Sequence, residues 1–469
     1  MVSLFCSMLF AAVRLGSPFT DGMVLQRERP VPVWGKAAPG EKVTVSFWGQ
    51  TLHATADEKG AWRVTLAPMK ANANSQSLRV EPGAIEVKDV LVGEVWLASG
   101  QSNMAFRFTN SNPRTKEKNG ALLAQITTRP LIRYANVEKK STETERDHTK
   151  VEWKPFTPHC LYHGGFSAVA TYFAIYLHDA INVPVGIVGC AWGGTNIDAW
   201  IPHTEESAKS AMVPRKPVCR PGFIYRGSVA PLVPFSMRGV IWYQGESDAT
   251  EAWNYEKRMK MLYDSWGKLF ENEKWPFLFA QLAPYEYSTP KTKRDLVALQ
   301  LAQASFAENE PNAYMATVND IGNLSDIHPN DKGPIGMRFA ALALQHVYGY
   351  KDVKADAPVA TSAKAIEGGK VEISFRHGEG LYVYNDNRSI QIGLEIAGDD
   401  GIFHDASIVG IDKRGVIDPA SGKLVVFSMK VSSPKKVRYL FKSPWQGALR
   451  NRSGIPAGPF ILDVKGVSK

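Results

Sequence analysis

Val90-Leu-Val-Gly-Glu-Val-Trp-Leu-Ala-Ser-Gly-Gln-Ser-Asn-Met104 decides the reading of this chain. Its first half is almost uninterrupted apolar sequence, rich in residues that favour strands, and it stops at Ser99-Gly100. A run of this kind fits a strand buried on both faces, as in a parallel sheet. A serine follows two residues after the glycine. In parallel sheets reactive groups gather beyond the carboxyl ends of the strands. A serine in a tight turn there exposes its hydroxyl and its own N–H together. Taken alone, such a turn is common.

Working outward, similar apolar runs occur at Leu131 to Val137, Val183 to Ala191, Gly239 to Tyr243, Phe277 to Leu282 and Tyr314 to Val318. Between them lie patterns of helical period: Ser167 to Ala180, Ala252 to Phe270, Asp295 to Ala307 and Pro334 to Tyr348. Buried strands alternating with helices predict an α/β domain with a parallel sheet covered by helices, over residues 90–350. The flanks read differently. Residues 17–89 carry short strands broken by turns, such as Val31 to Trp34, Lys42 to Trp48 and Trp62 to Leu66, and predict a small β-sandwich-like module. Residues 351–469 return to β patterning, with Val371 to Phe375, Gly380 to Tyr384, Lys423 to Val431 and Val437 to Phe441. The polar stretch Lys139 to Lys150 reads as a solvated charged loop.

Composition bounds the function classes. The 469 residues are 44% hydrophobic and 22% charged, in the ordinary globular range. The net charge of +9 is spread along the chain without a tight basic tract, so no nucleic-acid arm is indicated. No apolar run is long enough for a membrane-spanning helix. Residues 1–16 read as a short export signal remnant, apolar from Met1 to Val13 but without a basic start, which points to a secreted or periplasmic protein. Cys6 lies in that segment. Cys160, Cys190 and Cys219 form no CxxC pair, so no metal site is indicated, and any single bridge among the three is left open.

Three further strand-end loops carry chemistry. Ala191-Trp-Gly-Gly-Thr195 offers backbone N–H groups unobstructed by side chains. Trp242-Tyr-Gln-Gly-Glu-Ser-Asp248 offers an amide, a carboxylate and a glycine. An amide suits an oxyanion hole, although the same segment also reads as a helix-capping turn. Asp326-Ile-His-Pro329 offers a histidine with a carboxylate nearby to fix its tautomer. Each motif alone is an ordinary turn. Together they are an inventory for acyl transfer.

These four blocks resemble those of the sialate O-acetylesterase branch of the SGNH hydrolases. Asp21-Gly-Met-Val-Leu-Gln-Arg27, Gly93-Glu-Val-Trp-Leu97, Phe166-Ser-Ala-Val169, Gln281-Leu-Ala-Pro-Tyr285 and Gly454-Ile-Pro-Ala-Gly-Pro-Phe460 resemble that branch too, so the similarity covers nearly the whole chain. It implies a three-layer α/β/α catalytic domain and a serine carboxylic-ester hydrolase that removes acetyl groups from carbohydrate, with no metal or organic cofactor. Carried over, it implies Ser102 as nucleophile and His328 as base. The N–H groups of Ser102 and Gly194 and the amide of Gln244 would form the oxyanion hole. Gln101, Asn103, Glu246 and Arg226 are the expected substrate contacts.

Two departures stand out. The superfamily places Asp three residues before the histidine; here Ser325 holds that position and Asp326 stands two before. Asp326 is the candidate third member, with Asp320 or a backbone carbonyl as alternatives. At Tyr225-Arg-Gly-Ser228 the family tends to have Asn-Gly-Met in place of Arg226, Gly227 and Ser228. Acetylated sialic acid and acetylated plant polysaccharide such as xylan both fit as substrates. Arg107 and Arg226 are candidate partners for a substrate carboxylate. A non-catalytic glycan-binding protein on the same scaffold and a lipase-like esterase are the competing classes.

Overall fold

A computed structural model describes residues 12–110, 129–214, 216–286, 295–322, 325–384, 393–411, 422–441 and 447–466. Residues 1–11 of the segment read as an export signal, Cys6 among them, lie outside the described residues. Cys160, Cys190 and Cys219 are free thiols.

The protein is a mixed α/β fold. Its centre is a run of seven strands in the spatial order Val151–Phe156, Arg129–Val137, Val185–Ala191, Ile85–Gly100, Gly239–Tyr243, Phe277–Ala280 and Ala313–Ala316. Every neighbouring pair is parallel except the edge pair Val151–Phe156 with Arg129–Val137. The inner strands are apolar on both faces: all five residues of Gly239–Tyr243 and all four of Phe277–Ala280 are buried. Helices Ala168–Ile181 and Gly333–Leu342 pack on one another, as do Tyr255–Leu269 and Leu296–Asn309. Ser167 caps the first of these by accepting from the Ala170 N–H, and Asp295 caps the last by accepting from Ala298. No helix among the described residues is long and apolar enough to cross a membrane.

The strand that ends two residues before Ser102 is also the longest among the described residues. Ile85–Gly100 runs through 16 residues, across the boundary expected at residue 89. Its first part pairs with Asn72–Glu81, its middle with Val24–Gln26, and its last part with the two inner parallel strands. The β-rich N-terminal segment is therefore continuous with the central sheet, and one hydrophobic core extends from Phe19 to Ala355. A second core, from Ala363 to Phe460, belongs to the C-terminal β sheets.

Candidate active site

Three strands end level with one another. Gly100 is the register partner of Ala191 on one side and of Tyr243 on the other. In a parallel sheet, reactive groups gather beyond such carboxyl ends. The loops leaving it are stitched together: Trp192 N–H donates to the Gly100 carbonyl at 3.0 Å, and Gln101 N–H to the Tyr243 carbonyl at 2.9 Å. Gly100 has φ of +132°, and a Cβ on it would lie 2.2 Å from the Tyr243 oxygen, so only glycine fits.

Ser102 begins the short helix Ser102–Ala105 and is partly exposed. A Cβ on Gly193 would stand 3.2 Å from the Ser102 Cβ, which places the Gly193-Gly194 backbone directly beside the Ser102 turn. Thr195 fixes that loop, donating to the Trp192 carbonyl and accepting from the Trp200 indole. Among the described residues, the N–H groups of Ser102 and Gly194 have no acceptor. Two free N–H groups on adjoining turns beside a hydroxyl are what an acyl oxyanion requires.

His328 arrives on the loop before helix Gly333–Leu342. The residue before it is tied to the residue after Ser102: Asn103 Nδ2 donates to the Ile327 carbonyl at 3.1 Å. The His328 ring is tilted against Phe106, with centroids 6.2 Å apart. Asp326 Oδ1 accepts from the His328 N–H at 2.9 Å and lies 3.4 Å from His328 Nδ1. Burial, and then the nearby Lys332 charge, push the imidazole below the ordinary histidine value, while Asp326 pulls it up. Asp320 does not serve: Arg338 holds it with two bonds of 2.8 Å, and Arg450 lies 3.4 Å away on the C-terminal β unit. The alternative that Asp320 orients His328 is thereby corrected.

Four expected site residues prove to be built into the frame. Gln244 is fully buried, and its Nε2 donates to Gln101 Oε1 and the Thr195 carbonyl, each at 3.1 Å, and to Asp248. With its two hydrogens so committed, its amide is not an oxyanion donor, which corrects that expectation. Gln101 is no substrate contact either. Its Oε1 also accepts from the Gly245 and Ser247 N–H groups, clamping the nucleophile turn to the neighbouring loop. Asn103 and Glu246 are buried and hydrogen-bonded to each other, so neither faces substrate. Asp248 accepts from the Ile197 N–H and is pushed up to about 7, chiefly by burial. Arg226 stacks on Phe223 at 5.6 Å, and its carbonyl accepts from Arg146. Beside it, Ser228 bonds Lys140 and Glu138, so the divergent loop is fastened to the charged loop. The contacts of Arg226 are with Phe223 and Arg146 on these two loops.

Two residues were not anticipated. Lys332 is 1% exposed, with its ammonium bonded to Asn103 Oδ1. In sequence it sits in Asp331-Lys-Gly-Pro334, which reads as a solvated helix start; only the fold buries it. Lys139 joins Arg107 in lining a cavity of about 310 Å³ beside the helix that starts at Ser102. Tyr134, Asn136 and Ser167 also line it, and among the described residues no carboxylate does.

Comparisons with known proteins identify the family. Residues 92–345 match the family model for carbohydrate esterase, sialic acid-specific acetylesterase. The mouse sialate O-acetylesterase is 29% identical over 417 residues, covering 74% of this chain and 75% of its own length. The human sialate O-acetylesterase is 28% identical over 388 residues, covering 74% and 73%. A crystal structure of a carbohydrate acetylesterase from Xanthomonas citri superposes with a TM-score of 0.84 at 33% identity, covering 96% of this chain and all of that one. Strand ends, paired glycines and the histidine loop fall within the matched span, and the chain belongs to the sialic acid-specific acetylesterase family of carbohydrate esterases.

Proposed function

We propose that this protein removes O-acetyl groups from carbohydrate through a serine acyl-enzyme. His328 takes the proton as Ser102 Oγ attacks the acetyl carbonyl. The N–H groups of Ser102 and Gly194 receive the negative charge, and the sugar hydroxyl leaves with the proton from His328. Water repeats the sequence on the acetyl-enzyme and releases acetate. Asp326 steadies the ring and the imidazolium that forms on it. The arrangement follows the three-layer α/β/α plan of the SGNH hydrolases, a reading supported by the two separate helix pairs on the parallel sheet. The single observation that carries the assignment is the convergence of Ser102, the free Gly194 N–H and the His328 loop at one level of the sheet.

Within the class, the Arg107 and Lys139 cavity favours a sugar that carries a carboxylate, since two cations with no acidic partner in the lining among the described residues suit an anion. A neutral polysaccharide such as acetylated xylan is the second reading. A secreted or periplasmic location suits either. The test is acetate release from a panel of acetylated sialic acids and acetylated xylo-oligosaccharides. Faster turnover of the acidic sugars, lost selectively in Arg107→Ala, is expected. Equal turnover, or preference for xylo-oligosaccharides, removes the acidic-sugar reading. No release from any ester, with wild-type protein shown to be folded, removes the esterase.

A further inference from the structure

The nucleophile and its base sit on loops more than two hundred residues apart, and one amide joins them. Asn103 Nδ2 donates to the Ile327 carbonyl and to Glu246 Oε1, and Asn103 Oδ1 accepts from the Lys332 ammonium. Asn103 thereby ties three strand-end loops at a point adjacent to both Ser102 and His328. Lys332 holds the far side of this joint. Its ammonium lies 4.6 Å from the Phe106 ring centroid and 5.7 Å from that of Tyr243, within cation–π range of both.

We propose that Lys332 is a positioning residue of the reaction: acting through Asn103, it braces the nucleophile turn against the His328 loop and stands as a buried cation behind His328. The proposal rests on the acyl-transfer reading of Ser102 and His328. Orientation of the reacting groups is worth a great deal, and a displacement of about 1 Å can cost roughly 100-fold in rate.

The charged neighbours of Lys332 come from every element around it. Glu246 lies on the loop after Gly239–Tyr243, Asp326 and His328 on the histidine loop, and Asp331 beside it in sequence. Asn103, Phe106 and Tyr243 are the uncharged faces, and Tyr172 approaches the next residue, Gly333. Burial pushes the Lys332 ammonium down to about 7, against the pull of Glu246, Asp326 and Asp331. Burial likewise pushes Glu246 up. While Lys332 is protonated it opposes a second positive charge on His328, and so keeps the ring as a base to lower pH.

Two variants separate brace from charge. Lys332→Gln keeps a donor for Asn103 and removes the charge; Lys332→Met removes both. The pH titration of His328 is read by NMR on histidine-labelled full-length protein, with His328→Asn assigning the signal. This arm needs no turnover, so loss of the esterase reading leaves it decisive. The His328 midpoint should rise in both variants. In the activity arm, on one acetyl ester, Lys332→Met should lose about 10- to 100-fold in kcat with KM little changed. Lys332→Gln should recover part of that kcat while its acid limb moves to higher pH. An unmoved His328 midpoint in Lys332→Gln, together with kcat per folded molecule equal to wild type in either variant, overturns the proposal and leaves Lys332 a packing residue. Should Lys332→Met not fold, Lys332→Gln alone decides by the same two readings.

Discussion

Glu94 and Glu246 are both buried carboxylates, and they lie at opposite ends of the same sheet. Glu94, level with Val185 at the entry end of the neighbouring strand, accepts from Arg27 at 2.5 Å, from Arg238 twice at 2.8 Å and from Gln26 at 3.2 Å. Burial pushes its carboxyl up, but Arg238 and then Arg27 outweigh that and hold it below the usual range. Glu246, at the exit end, has one amide donor on one oxygen and, among the described residues, no hydrogen-bond partner on the other. Burial wins there, and the group is pushed up. A well-paired buried charge ties elements together. An underpaired one costs stability and persists where the surroundings use it. The first glutamate joins the N-terminal segment to the sheet; the second is bonded to Asn103, the residue after Ser102.

The comparison can be broken at either end. The largest effect is expected at the exit end: Ser102→Ala should lower acetyl-ester turnover by at least about three orders of magnitude, with an unchanged melting curve. Wild-type turnover in a verified Ser102→Ala sample would remove Ser102 from the chemistry. At the entry end, Glu94→Ala should leave two part-buried guanidiniums with only the half-exposed Glu28, at 3.6 Å and 3.5 Å, and cost up to about 3–5 kcal/mol in denaturant unfolding, while kcat per folded molecule holds. The sign with pH follows. Because the folded value of Glu94 is depressed, its contribution is full above the ordinary carboxylate range and is lost as pH falls through the depressed value. Glu246 has the opposite sign: its raised value means stability is given up as pH rises from the ordinary to the raised value.

The two aspartates considered for His328 sharpen the contrast. Asp326→Asn should cost on the order of 100- to 10,000-fold in kcat with little effect on melting, by the triad template. Asp320→Asn should instead lower the melting temperature, since it loosens the Arg338 and Arg450 pairs at the C-terminal unit. A collapse of kcat in Asp320→Asn with the fold intact would reverse the assignment. Gln244→Ala should behave like an entry-end change despite its position. It strips partners from Gln101, Thr195, Asp248 and the Tyr255 hydroxyl, and about 1–3 kcal/mol of stability should go with each buried group left unpaired. Lost kcat at full stability would restore the amide to the oxyanion hole. The smallest effect is on the pH profile. The acid limb of kcat/KM in wild type should lie below the ordinary histidine value, because burial and Lys332 both depress His328.

What was legible in the sequence was whatever depends on local pattern. Apolar runs stopping at Gly100, Ala191 and Tyr243 located the strand ends, and the three ends meet in register. Residue types beyond Gly100 and Ala191, and a histidine in the loop before helix Gly333–Leu342, marked Ser102, Gly194 and His328 as candidates. What was not legible was the direction in which polar side chains point. Gln244, Asn103 and Glu246 sit in loops where exposure to a cleft is the natural expectation, yet each turns inward to satisfy another loop. Those partners are 49, 224 and 143 residues away in sequence. Lys332 was invisible for the same reason, since its burial is decided by Asn103, Phe106 and Tyr243. The edge strand Val151–Phe156 escaped because its alternating burial is short and follows a charged loop.

The unbroken strand Ile85–Gly100 has a practical consequence for anyone cutting this gene. A fragment opened at residue 90, where the pattern of the sequence changes, would begin inside a strand. It would discard Asn72–Glu81 and Val24–Gln26 and leave the unpaired N–H and C=O groups of their former partner open to solvent. Such raw edges recruit other chains, so the trimmed enzyme should come out of expression as aggregate rather than as a smaller esterase. The same continuity makes the front of the chain a poor place for swapping modules between relatives. The seam between Ala355 and Ala363, where one core stops and the next begins, is the better crossover point.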